Sequence, residues 1–273
     1  MQKTTLTSPQ LRVLVIVCTV FLARCASPGD SDETGLESLF NGETVVVDMT
    51  HTLSSNNPVW GAGGDSPFKY EILAAHDSGL PAMGAFRTAE HYGTHIDAPI
   101  HGKDQLPTVD KIPLDELFTE VVVLDISGPS ADDADYALST ADIQAWEVDN
   151  GQIPANSFVL LNTGWGQKWD DHDSYLNRDS DGRMHFPVFS GEAATFLVEQ
   201  RSIGGIGIDN MSVDPSAIGG FPAHNAVNGT GKLHLENVAN VHRLPATGAY
   251  LIIAPVKVEN GSGGPVRIFG VIP

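Results

Sequence analysis

The sequence predicts one mixed α/β domain behind an N-terminal leader, and two patterns carry this prediction. Short runs rich in valine and isoleucine recur along the chain, and segments with helical periodicity lie between them. The chain has 273 residues, of which 41% are hydrophobic, enough for one sizeable core. Its 28 glycines and 17 prolines are typical of a domain with many turns rather than long helices.

The first residues of the chain have the features of an export signal. Lys3 and Arg12 accompany an apolar stretch, Val13 to Ala23, that is too short to span a bilayer comfortably. The sequence Leu-Ala-Arg-Cys that ends at Cys25 resembles a bacterial lipobox, although Arg24 stands where that motif has a small residue. We therefore expect lipidation at Cys25, with ordinary secretion as the first alternative and a misassigned start codon as the second.

These features divide the chain into three parts. Residues 1–24 are expected to form a lipoprotein-type signal peptide, residues 25–38 a flexible linker rich in serine, glycine and acidic residues, and residues 39–273 the folded domain. We then expect export to the periplasm or the outer surface, with membrane contact only through the lipid anchor.

Charge and cysteine content exclude several classes of function. The formal net charge is -19, from 15 Lys and Arg against 34 Asp and Glu, which argues against nucleic acid as a partner. The two cysteines, Cys18 and Cys25, both lie in the leader region. The mature domain therefore has no disulfide, no cysteine nucleophile and no cysteine zinc site.

Six apolar runs are predicted to be strands. Most are continuous rather than alternating, which indicates a sheet covered on both faces. The runs are Thr44 to Thr50, Glu120 to Ser127, Ser157 to Gly164, Ile203 to Asp209, Ala249 to Val258 and Pro265 to Ile272.

Two segments are predicted to be helices. Ser139 to Val148 begins with Ser139 or Thr140 as N-cap, and Ser190 to Ser202 begins with Ser190 in that role. The second segment leads directly into the strand at Ile203, as expected of a helix-to-strand unit in one α/β domain.

The segment "EHYGTHIDAPIH", Glu90 to His101, concentrates side chains that can bind a metal. On a helix, His91 and His95 would share a face but Asp97 would not. In a straight strand, His91 and Asp97 would lie about 20 Å apart. One ion can therefore bind all three only if the chain curls, and Gly93 and Pro99 permit a curled loop. The spacing alone leaves a solvated loop open, with Asp97 capping a turn.

The whole pattern resembles a known signature. His91-x-Gly93-Thr94-His95-x-Asp97-x-Pro99-x-His101 is similar to the HxGTHxDxPxH motif of the cyclase family of metal-dependent hydrolases, which includes bacterial kynurenine formamidases and isatin hydrolases. Two later blocks, Gly205 to Pro215 and Phe221 to Pro245, and the C-terminal strand extend the resemblance over nearly all of residues 45–273.

The resemblance implies a role for each motif residue. His91, His95 and Asp97 are expected to bind one metal, and Asp97 to bridge to a second that His224 and Glu236 complete. His101 is expected to be the catalytic acid/base. Zinc is favoured and manganese is the alternative, with one or two ions. Glu236 could otherwise begin a helix at "ENVANV", and its position in the sequence alone does not separate the two roles.

The resemblance also bears on fold and substrate. It implies a swivelling β/α/β, sandwich-like single domain that assembles as a dimer or tetramer. Trp60 matches a pocket tryptophan, and His51 is a second candidate for substrate contact. Gly61 to Gly64 separate Trp60 from Asp65, where the family more usually has W-P-G-D, so the substrate loop differs.

The expected reaction is hydrolysis of the C–N bond of a small aryl formamide or cyclic amide, with formylkynurenine, an intermediate of tryptophan catabolism, as the best single substrate. A lactone or ester hydrolase of the same family is the alternative within this chemistry. A non-catalytic periplasmic binding lipoprotein is the alternative from another class.

Overall fold

The structure is a computed structural model that describes residues 39, 41–60, 65–216 and 219–273. The predicted signal peptide, linker, lipidation site and glycine loop at 61–64 lie outside the described residues. Among the residues that are described, no helix is both long and apolar enough to cross a bilayer.

The domain has twelve strands and six α-helices within the described ranges, joined by short 3₁₀ turns. The strands are β1 Val45–Asp48, β2 Lys69–Ala74, β3 Met83–Arg87, β4 His95–Asp97, β5 Phe118–Asp125, β6 Ala137–Leu138, β7 Phe158–Asn162, β8 Val188–Phe189, β9 Gly205–Ile208, β10 Leu233–Glu236, β11 Ala249–Pro255 and β12 Gly263–Ile272. The helices are α1 Pro99–Gly102, α2 Ser127–Asp132, α3 Thr140–Asn150, α4 His172–Leu176, α5 Gly191–Arg201 and α6 Pro222–Val227.

Eight strands form the main sheet, in the order β1-β12-β11-β5-β7-β9-β10-β4. The additional pairing of β12 with β4 closes seven of these strands into a barrel and leaves β1 beside the other half of β12. Strands β5, β7, β9 and β10 run parallel, and the remaining neighbours are antiparallel. The mixed α/β domain was predicted correctly, whereas the sandwich-like arrangement was wrong because the sheet closes on itself.

The two faces of the barrel wall explain why the strand sequences are continuously apolar. Phe158 and Leu160 of β7 belong to a cluster shared by the strands around the ring, whereas Val159 and Leu161 pack with α3 and α5 on the other face. Glycines 205 and 207 of β9 face the ring cluster, where an added Cβ would meet Phe158 and Leu160. At these two positions, the barrel interior therefore leaves no room for a side chain.

Both predicted helices are present, with the predicted caps. The Ser139 hydroxyl accepts a hydrogen bond from the Asp142 N–H at the start of α3, and Asp142 completes a capping box. The Ser190 hydroxyl accepts from the Ala193 N–H at the start of α5. Helix α6 begins at Pro222, which follows Phe221 in a left-handed conformation at φ 45° and ψ 63°. These short elements carry residues of the candidate site.

Candidate metal centre and active site

The histidine-rich segment forms three successive local structures. Gly93 has a φ of 68°, which turns the chain between His91 and strand β4. His95 and Asp97 are two positions apart on β4 and so lie on one face, with Ile96 directed into the barrel cluster. Pro99 then begins helix α1. The curled path predicted from the spacing is therefore a turn, a short strand and a helical turn in succession.

Asp97 is the centre of the cluster. Its Oδ1 lies 2.6 Å from His91 Nδ1 and 3.4 Å from His95 Nε2. Its Oδ2 lies 3.4 Å from His224 Nε2 and 4.0 Å from His101 Nε2. The residue is 1% exposed, and Oδ2 has no hydrogen-bonding partner among the described residues. With His234 Nδ1 at 3.8 Å from Oδ2, one buried carboxylate faces five imidazoles.

The two distant residues of the third sequence block reach the same centre. Glu236 ends strand β10, whose register pairs it with His95 of β4, and it does not begin a helix. Its Oε2 lies 3.4 Å from His95 Nε2, and its Oε1 lies 3.6 Å from His224 Nε2 on α6. The backbone N–H of Val213 donates to Glu236 Oε1 and fixes the carboxylate. All five predicted ligands therefore lie together.

Three of the imidazoles have one nitrogen anchored away from the centre. His91 Nε2 lies 2.9 Å from Ser262 Oγ, His95 Nδ1 lies 2.9 Å from the Gly93 carbonyl, and His224 Nδ1 lies 2.7 Å from Asp214 Oδ2. When each anchored nitrogen carries the proton, the opposite nitrogen presents its lone pair to the cluster. This arrangement orients histidines that bind metals.

The charges of the cluster favour a cation at its centre. Burial tends to raise the pKa of Asp97, but the adjacent imidazoles of His224, His91 and His95 hold that pKa well below its usual range. Burial tends to lower the pKa of His95, but Asp97 and Glu236 raise it to about 10. The two carboxylates therefore attract a positive charge, either protons on the imidazoles or a divalent cation that displaces them.

The donor set fits such a cation. Three groups of side chains have ligand atoms within 4.8 Å of one another: His91, Asp97 and His101; His95, Asp97 and Glu236; and Asp97, His224 and His234. Imidazole and carboxylate ligands suit zinc, manganese or iron. The unpartnered Oδ2 of Asp97 is the buried atom that a bound ion would satisfy.

His101 differs from the anchored histidines. Helix α1 brings it back over Asp97, and its ring lies 4.1 Å from that of His91. Its side chain is 35% exposed, so it faces the cavity rather than the protein interior. Burial lowers the pKa of His101 below its usual value, partly offset by the nearby Asp97.

A cavity of about 320 Å³ opens above this cluster. Its wall includes Trp60, which contacts Phe186 edge to face, and Phe221, which contacts His224 in the same manner. Pro58 and Met211 add further apolar surface. Trp60 was a predicted wall residue, and the structure positions it there.

His51 lies elsewhere. It lines a separate cavity with Trp169 and Asp170, and its ring stacks on Trp169 with centroids 3.9 Å apart. Its backbone N–H donates to Thr94 Oγ1, which links it indirectly to the histidine-rich segment. A substrate contact by His51 stays a prediction.

Residues important to the site were missed by the sequence reasoning. Phe221 and the anchoring residues Ser262 and Asp214 carry no local signal of their role. His234 does, because "LHLE" alternates: Leu233 and Leu235 point into the barrel cluster, so His234 must share the face of Glu236. That period of two was visible in the sequence.

Comparison with known proteins agrees with this geometry. The Cyclase family model matches residues 47–215. An isatin hydrolase from Roseibium aggregatum is 36% identical over 250 residues, covering 86% of this chain and 94% of that protein. A kynurenine formamidase from Salinibacter ruber is 27% identical, covering 82% of this chain and 95% of its own length.

Solved structures extend the similarity to the fold. Isatin hydrolase A from Labrenzia aggregata bound to benzyl benzoate has a TM-score of 0.81 at 35% identity, covering 87% of this chain and 97% of that chain. Isatin hydrolase A from Ralstonia solanacearum has a TM-score of 0.82 at 31% identity, covering 91% and 99%. The predicted resemblance to the cyclase family is confirmed. The alternative of a non-catalytic binding lipoprotein is not favoured. The chain is a metal-dependent amide hydrolase and belongs to the cyclase family.

Proposed function

We propose that this protein hydrolyses the C–N bond of a small cyclic aryl amide of the isatin type. The observation that carries the proposal is the single cavity whose wall contains both the metal-binding cluster and the aromatic side chains of Trp60 and Phe221. Flat aryl rings pack favourably against such side chains, and the volume suits a small bicyclic molecule. The relative of 36% identity is an isatin hydrolase.

The cofactor in this proposal is zinc or manganese, as one or two ions. His91, His95 and Asp97 form one set of ligands, and Asp97, His224 and Glu236 form the second. A bound divalent cation lowers the pKa of a coordinated water to about 7 and polarises a carbonyl oxygen. The three anchored histidines support this assignment, because their tautomers are set by acceptors outside the cluster.

His101 is the proposed acid/base. Its Nε2 takes a proton from the attacking water, and the new C–O bond forms as the carbonyl carbon becomes tetrahedral. The same nitrogen then donates the proton to the amide nitrogen as the C–N bond breaks, which yields an amine and a carboxylic acid that loses its proton to solvent. Its partial exposure at the cavity and its distance of 4.0 Å from Asp97 leave its Nε2 accessible to substrate.

An aryl formamide such as formylkynurenine is the second candidate substrate. It is favoured by the kynurenine formamidase from Salinibacter ruber, whose similarity also covers most of this chain. The same side chains would act on its formyl carbon. Lactones and aryl esters are the remaining candidates, since their carbonyls undergo the same attack.

A substrate panel tests the proposal. Purified protein loaded with zinc or manganese is assayed against isatin, N-formylkynurenine, formanilide, a lactone and an aryl ester, before and after treatment with a chelator. We expect isatin to give the highest kcat/KM, chelation to abolish turnover and added metal to restore it. Turnover of isatin that survives chelation, or a clear preference for the ester or lactone, would contradict the proposal.

We also propose that the protein is exported and anchored by a lipid on Cys25. The leader-like residues before Cys25 support this location. Fractionation and detergent partitioning of cells that express the wild type and Cys25→Ser check it. A Cys25→Ser protein that remains membrane-associated would remove the anchor from the proposal.

A homo-oligomer is the proposed assembly. The hairpin of β2 and β3 forms its own two-stranded sheet and exposes Tyr70, Ile72 and Phe86, each at least 60% accessible. Adjacent exposed apolar side chains of this kind mark interaction surfaces. Sedimentation of the wild type and of Phe86→Asp checks the assembly, and an unchanged mass would place the interface elsewhere.

A further inference from the structure

We propose that His234 is an additional metal ligand, which completes a cation site between Asp97 and His224. The inference rests on the proposed metal chemistry and adds a residue to the ligand set that the family motif implies. It concerns the side of Asp97 that carries Oδ2, opposite the His91 contact.

The position of His234 is set by the sheet. Strand β10 pairs with β4 so that His234 stands directly opposite Asp97, and Glu236 stands opposite His95. Side chains directly opposite one another in an antiparallel pair have Cβ atoms about 5 Å apart. The imidazole is therefore held beside Asp97 by the backbone register and by the alternation of β10.

The distances match a shared ion. His234 Nδ1 lies 3.8 Å from Asp97 Oδ2, and His224 Nε2 lies 3.4 Å from the same oxygen. The rings of His224 and His234 are 4.8 Å apart at 70°. Ligand atoms about 2 Å from a tetrahedral zinc lie roughly 3.3 Å from one another. The two distances to Asp97 Oδ2 are therefore within about half an ångström of that value. The ligand atoms of all three residues lie within 4.8 Å of one another.

The burial of His234 supports the same role. The side chain is 0% exposed, and neither ring nitrogen has a hydrogen-bonding partner among the described residues. A buried polar group without a partner is unfavourable, and a leucine would avoid this penalty. The Asp97 oxygen that faces His234 is likewise unpartnered. A cation between them satisfies both atoms.

A hydrogen bond between His234 and Asp97 is the alternative explanation. At 3.8 Å the two atoms are too far apart for one. Such a bond would also leave the second ring nitrogen of His234 without a partner, and the lone pair of His224 Nε2 without a cation to bind. The two explanations differ in one measurable property, the number and affinity of bound ions.

The test measures metal binding without substrate. Wild type, His234→Leu, His234→Gln and the control His76→Leu, which removes an exposed histidine, are titrated with Co²⁺. Visible absorption reports the ligand field, and equilibrium dialysis with elemental analysis gives the stoichiometry. We expect both His234 variants to lose one equivalent, or to bind it at least about 10-fold more weakly. The other equivalent and the His76→Leu protein should remain unchanged.

Folding is checked by near-ultraviolet circular dichroism and by the melting temperature of the metal-free proteins. The leucine variant removes the buried polar atoms, and the glutamine variant retains a polar side chain, so one of the two is expected to fold. Identical stoichiometry, affinity and spectrum in wild type and variants would overturn the proposal. Because no substrate is used, a failure of the isatin assignment would not alter this result.

Discussion

Nδ1 of His224 lies 2.7 Å from Oδ2 of Asp214, a fully buried carboxylate. Asp214 also accepts hydrogen bonds from the backbone N–H groups of Ala223 and His224 at the start of α6. One side chain therefore fixes both the helix and the tautomer of its histidine, so that His224 Nε2 faces Asp97.

Replacing Asp214 with alanine should weaken metal binding without removing a ligand. We expect a loss of about 10- to 100-fold in affinity for the ion at His224, because the imidazole loses its orientation. Asp214→Asn retains an acceptor oxygen and should show the smaller loss. Competition with a chromogenic chelator measures both affinities, and Asp181→Ala, in an exposed turn, is the control. Equal affinity in Asp214→Ala and Asp181→Ala would contradict the orienting role.

His101→Ala should separate turnover from metal binding. The residue contacts the cluster at its exposed side, and we expect the anchored histidines and the carboxylates to keep their positions when it is replaced. We expect kcat to fall at least about 100-fold, since general acid/base catalysis contributes roughly that much, while the metal content stays the same. Steady-state kinetics and elemental analysis of the same sample provide the two readouts. Unchanged hydrolysis would remove His101 from the mechanism.

Phe221→Asn should affect substrate binding more than folding. Phe221 has a φ of 45°, and its side chain is 50% exposed at the cavity. Asparagine tolerates the left-handed region better than a bulky aromatic residue, so the backbone strain falls when the ring is removed. We therefore expect KM for an aryl amide to rise several-fold while the melting temperature is unchanged or higher. Phe221→Ala removes the ring but keeps the strain, and it should show the same KM at a lower melting temperature.

Five of the seven strands of the barrel and the helices α3 and α5 could be predicted, whereas β4, β10 and the closure that they complete could not. Continuous apolar runs marked β5, β7 and β9 because both of their faces are buried. Strand β4 has only three residues, and its pairing with Gly263 of β12 closes the ring. An added Cβ at Gly263 would lie 2.7 Å from His91 Cε1, so the closure depends on a glycine far from β4 in sequence.

The ligand-bearing motif could also be predicted, because its evidence is local in the sequence. His91, His95 and Asp97 lie within one short segment, and their spacing required a curled path that the turn at Gly93 provides. The role of Ser262 could not be predicted, because it contacts His91 only in the folded protein. His234 could be predicted in part: the alternation of β10 indicated that it shares a face with Glu236, but the motif gave it no role.

The partly buried His51 predicts a specific dependence of stability on pH. Burial lowers its pKa to about 4, against smaller opposing effects of Asp170 and Asp48. Between pH 6.5 and 4 the unfolded chain binds a proton at this residue and the folded chain does not. The free energy of unfolding should therefore fall as the pH falls through this window, by at most about 3 kcal/mol from this group.

His51→Phe isolates that contribution, because phenylalanine can keep the stacked contact with Trp169 and cannot titrate. It also removes the unpartnered His51 Nε2, a buried atom with no hydrogen bond among the described residues. Urea denaturation at pH 7.5, 6 and 5 gives the free energy of unfolding of both metal-free proteins. In the difference between the two values at each pH, the titration of every group that they share cancels. We expect the stability advantage of the variant to grow steadily toward pH 5. Parallel stability curves would show that His51 is protonated in the folded protein as readily as in the unfolded chain.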